Sequence, residues 1–237
     1  MNDTLFDPEL PEWGKSIAVF DLETTGLVLH DARIVTACAV ELDAQGNIVG
    51  RDLEWLADPG IEIPEVAANV HGVTTEIAQA DGRPAAEVVA EIVATLRGFF
   101  DRGIPVVAYN APYDFTILFH EAVRHGIEPI ENPSPVIDPL VLDKHFDKYR
   151  SGKRRLENAA AHYGVALTDA HNATADAVAA GRVAQAIFAK FPMPSDVAEL
   201  HNAQMLWSKE QDISFAEFMV SKDPTFKANI GWPLKPH

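Results

Sequence analysis

The stretch SIAVFDLETTGL, residues 16–27, constrains the fold more than any other part of the chain. Ile17 to Phe20 is an unbroken apolar run, the pattern of a strand buried on both faces. It runs directly into Asp21 and Glu23. At positions i and i+2 of a strand, both side chains leave on the same face. Two like charges there repel, and burial sharpens the repulsion. A divalent cation between them would reverse that, because hard ions such as Mg²⁺ prefer carboxylate oxygens. Taken alone, the pair is equally consistent with a strand that simply ends in a polar turn.

The flanking pattern predicts where this strand lies. ARIVTACAVELD from Ala32 and NIVGRDLEWLA from Asn47 read as two further strands, joined by the hairpin chemistry of Asp43 to Asn47. PAAEVVAEIVATLRGFF from Pro84 has apolar residues at helical spacing, with Pro at its first turn. PVVAYN from Pro105 is a short buried strand. A helix follows through Phe115, Leu118, Phe119 and Val123 to Gly126. PVID, residues 135–138, is one more strand. RLENAAAHYG and NATADAVAAGRVAQAIFAKF are helices, stopped by Gly164 and Pro192. The order β-β-β-α-β-α-β-α predicts an α/β fold: a mixed sheet, with a three-strand antiparallel meander plus parallel strands, and helices on both faces. The expected organisation is an N-terminal arm over 1–15, a domain over 16–192 and a C-terminal helical appendage over 193–237.

The single cysteine, Cys38, excludes a disulfide framework and a cysteine-based zinc site. MNDTLFDPELPEW lacks a basic-then-apolar signal, and no apolar run approaches the ~18 residues of a membrane span. The expectation is a cytoplasmic protein. A net charge of −16 argues against a nucleic-acid partner. Lys144 to Arg155 runs the other way, with six Lys or Arg against one Asp. That stretch is either a solvated surface or a phosphate contact.

Two later segments repeat the chemistry of the first. In VVAYNAPYDF, Asn110 is placed to cap a helix opened by Pro112, and Asp114 falls in its first turn. In TDAHNATADAV, His171 precedes a helix and Asp176 is expected in its second turn. If Asp176 faces the sheet, the small residues Ala179 and Ala180 allow close approach. Each of these segments alone is an ordinary helix start.

Together, D-x-E after a strand, N-x-x-x-D opening a helix and H-x-x-x-x-D opening a later one resemble the DnaQ-like 3′–5′ exonucleases of the DEDDh type. VHGVT, residues 70–74, and PVIDPLVLDK from Pro135 resemble further motifs of that family. The similarity covers roughly residues 16–189. It implies a ribonuclease H-like fold and a phosphodiester hydrolase using two divalent metal ions, Mg²⁺ or Mn²⁺. It further implies that Asp21 bridges the ions, with Glu23 and Asp176 on one and Asp114 on the other. His171 would be the general base. Thr24 and the backbone near Gly26 would hold the 3′ end, Leu27 and His71 would press on the last bases, and Asn110 would steady the site. Single-stranded or frayed 3′ ends are the implied substrate, and the family's proofreading members add a DNA polymerase as a partner. Tyr109 departs from the histidine that relatives often carry before Asn110.

Two other readings compete. VFDLETTG is close to the D-x-D-x-T of haloacid dehalogenase-like phosphatases, but its second acid is Glu and a meander follows instead of a helix. A non-catalytic binding module of the same fold would be expected to have lost an acid or the histidine, and all five are present.

Overall fold

A computed structural model describes residues 10–167 and 172–236. β1 (Ile17–Thr24), β2 (Ile34–Leu42) and β3 (Ile48–Asp58) form the meander. Two short helices follow, α1 (Glu65–His71) and α2 (Thr75–Asp81), then an edge strand, β4 (Arg83–Pro84), and the long α3 (Ala85–Asp101). β5 (Val106–Val107) leads into α4 (Ala111–Arg124), and β6 (Val136–Ile137) into α5 (Pro139–Phe146). α6 (Leu156–Tyr163), α7 (Ala173–Lys190) and α8 (Val197–Val220) complete the order. The sheet runs β4-β3-β2-β1-β5-β6. β1, β2 and β3 pair antiparallel, while β5 and β6 extend the sheet in parallel from β1. The central strand is thus the one that ends in Asp21 and Glu23.

The period-two geometry of β1 divides the core. Ala18, Phe20 and Leu22 pack on α3 and α4, among Val88, Ile92, Leu96 and Phe115. Ile17 and Val19 face α7, among Ala177, Ala180, Val183 and Ile187. Asp21 and Glu23 extend this second row towards the end of α7 that carries Asp176. The helix sits close to the sheet because Gly181 allows it. A Cβ at Gly181 would lie 2.4 Å from Val19 Cγ1 and 2.6 Å from Leu42 Cδ1.

α8 covers the β6 edge in an unusual way. Two of its side chains, one turn apart, take the place of a neighbouring strand. Val136 N donates to His201 Nδ1 at 3.0 Å, and Asp138 N donates to Gln204 Oε1 at 2.8 Å. Gln204 Nε2 in turn donates to the Val136 carbonyl at 3.1 Å. An edge treated so offers no template for another strand. Beyond α8 the chain folds back, and Trp232 joins the α3–α4 core, 6% exposed. No helix among the described residues is long and apolar enough to cross a membrane.

α1, α2 and α5 are absent from the helices expected from periodicity. Each has only seven or eight residues, so its apolar period is weak; α6, equally short, was expected from RLENAAAHYG and its Gly164 stop. α1 buries no residue at all.

Candidate active site

The acids converge at the end of β1. One oxygen from each of Asp21, Glu23 and Asp176 lies within 4.8 Å of the others. Asp114 enters from α4. Its Oδ1 accepts from Leu22 N at 3.1 Å. That amide needs a partner because β5 pairs only with Ala18 and Val19 and then diverges. The start of α4 fills the gap.

Asp21, Glu23 and Asp114 are all raised above the ordinary carboxylate pKa. Burial lifts Asp21 well above the usual range, and Asp114, Glu23 and Asp176 each push it further. Burial and then Asp176 push Glu23 up to about 7. Asp114 is raised by burial, against the hydrogen bond from Leu22. Asp21 is the carboxylate that feels all three others. A cluster that resists ionisation this strongly fits a resident cation, and its all-oxygen donor set fits a hard one such as Mg²⁺ or Mn²⁺.

Asn110 corrects one expectation. It precedes α4 but makes no side-chain capping bond, and its backbone is left-handed, at φ 64° and ψ 49°. Asn tolerates that conformation better than most residues. The capping acid is Asp138 instead, from the end of β6. Its carboxylate accepts from Asn110 N at 2.9 Å and Ala111 N at 3.0 Å, then from Leu140 N at the start of α5. Trp232 Nε1 adds a fourth bond, at 3.3 Å. Asp138 is 1% exposed, so a single buried acid opens both α4 and α5. The Asp-Pro step at 138–139 was the available signal, since Asp before Pro marks a helix start.

The turn after the acids is closed on itself. Thr24 Oγ1 donates to the Gly26 carbonyl at 2.9 Å, and Tyr113 OH lies 2.5 Å from Thr24 Oγ1 and 3.0 Å from Gly26 O. The loop leaves Leu27 83% exposed, available to touch a ligand. His71 ends α1 with Nδ1 accepting from Val73 N at 3.2 Å. Burial lowers its pKa, partly offset by the Thr24 backbone. His71 therefore stands beside the Thr24 turn. His171 lies outside the described residues, as do residues 168–170. The described chain resumes at Asn172, whose side chain caps α7 through Ala175 N at 3.1 Å.

The basic stretch divides in a way its composition hides. Arg150 and Arg154 turn inward onto Asp143, at 2.5 and 2.8 Å, and Tyr163 OH donates to the other carboxylate oxygen at 3.0 Å. Arg154 also donates to the carbonyls of Asp143 and Asp147. It is therefore not the phosphate contact that a basic surface would offer. Arg155, by contrast, keeps a side chain 70% exposed.

Comparison with known proteins gives the family and the fold. The exonuclease family RNase_T matches residues 18–184. The chain is 30% identical over 173 residues to a DNA polymerase III PolC-type protein of Pediococcus pentosaceus, covering 73% of this chain and 11% of that one. It is 31% identical over 128 residues to a DNA polymerase III subunit epsilon-like protein of Rhodobacter capsulatus, covering 54% and 17%. The chain thus spans a small part of the length of these relatives. Exonuclease I shares the fold, with a TM-score of 0.66 at 18% identity over 85% of this chain and 46% of that one. The E. coli exonuclease I complex with a dT13 oligonucleotide matches at TM-score 0.60 and 20% identity, covering 72% and 40%.

Proposed function

Because this chain belongs to the RNase_T exonuclease family, we propose that it hydrolyses the terminal phosphodiester at the 3′ end of DNA and releases 5′-mononucleotides. The observation that carries this reading is the meeting of Asp21, Glu23 and Asp176 within 4.8 Å at the end of the central strand. Asp114 stands behind Asp21, and the Thr24 turn beside it. The relatives named above are polymerase proteins, and the exonuclease I complex holds a DNA oligomer. Both favour DNA over RNA and make a DNA polymerase the partner to test.

Asp21 would hold both divalent ions, Glu23 and Asp176 would share one, and Asp114 would serve the other. When bound, such ions activate water and offset charge on the leaving oxygen. The remaining work falls to the chain. Thr24 and the Gly26 backbone orient the terminal nucleotide, while Leu27 and His71 press on its bases. Asn110, whose backbone N–H is fixed by Asp138, would steady the site. His171 takes the proton of the attacking water, a role suited to an imidazole of ordinary pKa near 6.5.

Oligomers of DNA and RNA labelled at the 5′ or 3′ end, with Mg²⁺ or Mn²⁺, test this. The 5′-labelled DNA should shorten as a ladder from its 3′ end, and excess chelator should stop the reaction. Progressive release from the 5′ end, or full activity in chelator, would refute it. His171→Ala should lower turnover by about 10²–10⁴-fold and remove one ionisation from the rate–pH profile. A wild-type rate and profile would remove His171 from the mechanism.

A further inference from the structure

α5, the loop after it and the second half of α8 enclose an open groove of ≈ 560 Å³. Lys144 and Lys148 line one wall. Trp207 lies on the other, stacked face to face on His145 with ring centres 3.7 Å apart and planes 14° apart. Farther along α8, Phe215 and Phe218 are 55% and 56% exposed. They continue the face that α8 buries through Leu200, Gln204 and Ser208, at spacings of three and four residues. Ala216 between them is still buried, so the two rings flank the packed edge of the helix and face outward. Phe226 meets only an edge of Phe215, at 5.6 Å, and Lys222 stands 4.4 Å over the ring of Phe218.

Charge favours an anionic occupant. Of the two acids in the groove, Asp212 is already paired with Lys235 at 2.9 Å, which leaves Glu210. Neither Lys144 nor Lys148 is held in an ion pair among the described residues, unlike Arg150 and Arg154. Cations alternating with exposed flat rings are the equipment of a single-strand groove, where phosphates meet lysine and bases stack on aromatics. The groove also adjoins the acid cleft. The Arg154 carbonyl at its wall accepts from Tyr109 OH at 2.7 Å, and Tyr109 immediately precedes Asn110 and α4. Lys144 lies within electrostatic reach of Asp138, which caps α4.

We propose that the groove between α5 and α8 carries the single strand upstream of the 3′ end, with Lys144 and Lys148 on its phosphates and Phe218 under a base. The identity of the ligand rests on the exonuclease reading above. The site itself uses none of the residues of the acid cleft. It explains how a chain of net charge −16 holds a polyanion: the contact is local, made by the two lysines of the groove.

The test compares wild type with Lys148→Ala/Phe218→Ala by fluorescence anisotropy, using a labelled 12-mer of deoxythymidylate in chelator across a salt series. One lost stack should weaken 12-mer binding by about fivefold to a hundredfold. One lost phosphate contact should flatten the salt slope by about 0.7. Hydrolysis of a thymidine dinucleotide with Mg²⁺ should stay at the wild-type rate, because the dinucleotide does not reach the groove. Lys148→Glu alone should reproduce the salt effect. Wild-type affinity and slope in the variants would overturn the proposal, as would an equal loss on the dinucleotide. If the variant instead keeps the 12-mer but loses an acidic, phenylalanine-bearing peptide that wild type binds, the groove belongs to a protein partner and the proposal fails. Binding is read without metal. A wild type that holds the 12-mer through this groove yet hydrolyses nothing would sink the exonuclease reading and support this one.

Discussion

Asp21 and Asp143 are aspartates of the same α/β body, and they keep opposite company. Asp143 is fully buried and answered: Arg150, Arg154 and Tyr163 all reach its carboxylate. Asp21 is surrounded by Asp114, Glu23 and Asp176, each of which pushes its pKa up. One cluster is neutralised by the chain itself, so it ties the loop after α5 to α6. In the other, carboxylates face carboxylates, and each of the three neighbours makes ionisation of Asp21 harder. The difference lies in the partners that folding supplies, cations and a hydroxyl for Asp143 and other carboxylates for Asp21, and residue type alone does not make the distinction.

The sharpest way to break the comparison is Asp21→Asn. Turnover on a 3′ end should fall on the order of 10³-fold or more, since several kcal/mol of charge stabilisation goes with the ligand. The thermal midpoint in chelator should stay level or rise, because one repelling charge has gone. A large fall in midpoint would place Asp21 with Asp143, among the structural acids.

Asp143→Ala should do the reverse. Removing one partner of a buried ion pair costs about 3–5 kcal/mol, so denaturant unfolding should show a loss of that order. Arg154→Ala should approach it, since Arg154 also satisfies two backbone carbonyls. Stability at the wild-type level in both variants would dissolve the distinction from the other side.

pH offers a smaller test. The carboxyl of Glu23, pushed up from 4.5 to about 7, holds its proton more firmly in the folded chain than in the unfolded one. Its contribution to stability is therefore complete below its unfolded pKa and is lost as pH rises through about 7. The midpoint of the metal-free protein should drift downward across that window. Mg²⁺ should restore it at the upper end, where the carboxylates are ready to bind. Glu23→Gln should reduce the drift, and an unchanged drift would assign it to other groups.

The smallest effect is expected at Arg155. With its side chain 70% exposed, Arg155→Ala should change stability by less than about 0.5 kcal/mol. The contrast between Arg154 and Arg155, neighbours in one basic run, tests whether the inward turn of Arg154 is what matters. Equal losses at the two positions would contradict the ion-pair geometry around Asp143.

Much of this molecule was legible in its residues. The unbroken apolar run of Ile17 to Phe20 and the period of 3.6 in residues 84–100 are local properties, and they located the central strand and the long helices. The i, i+2 spacing of Asp21 and Glu23 is equally local, and so it placed both on one face. Of the short helices, α6 was legible from its Gly164 stop, but α1, α2 and α5 were not. One or two turns carry too little period to read, and isolated helices of that length are marginal, so α1, α2 and α5 form because the fold around them requires it.

The same limit decided the polar residues. By sequence alone, Asp114, Asp138, Asp143 and Asp176 are four aspartates outside the first strand with nothing in their own segments to rank them, and Lys153, Arg154 and Arg155 are three adjacent cations. Only the tertiary structure sorted them. Asp114 and Asp176 reach Asp21 from two different helices. Asp138 takes the amides of α4, and Asp143 captures Arg154 across eleven residues of chain. The physical reason is that backbone conformation is set largely by near neighbours, whereas the role of a charge is set by whichever charges and dipoles surround it after folding. Those partners come from remote segments, and their positions exist only once the chain has closed.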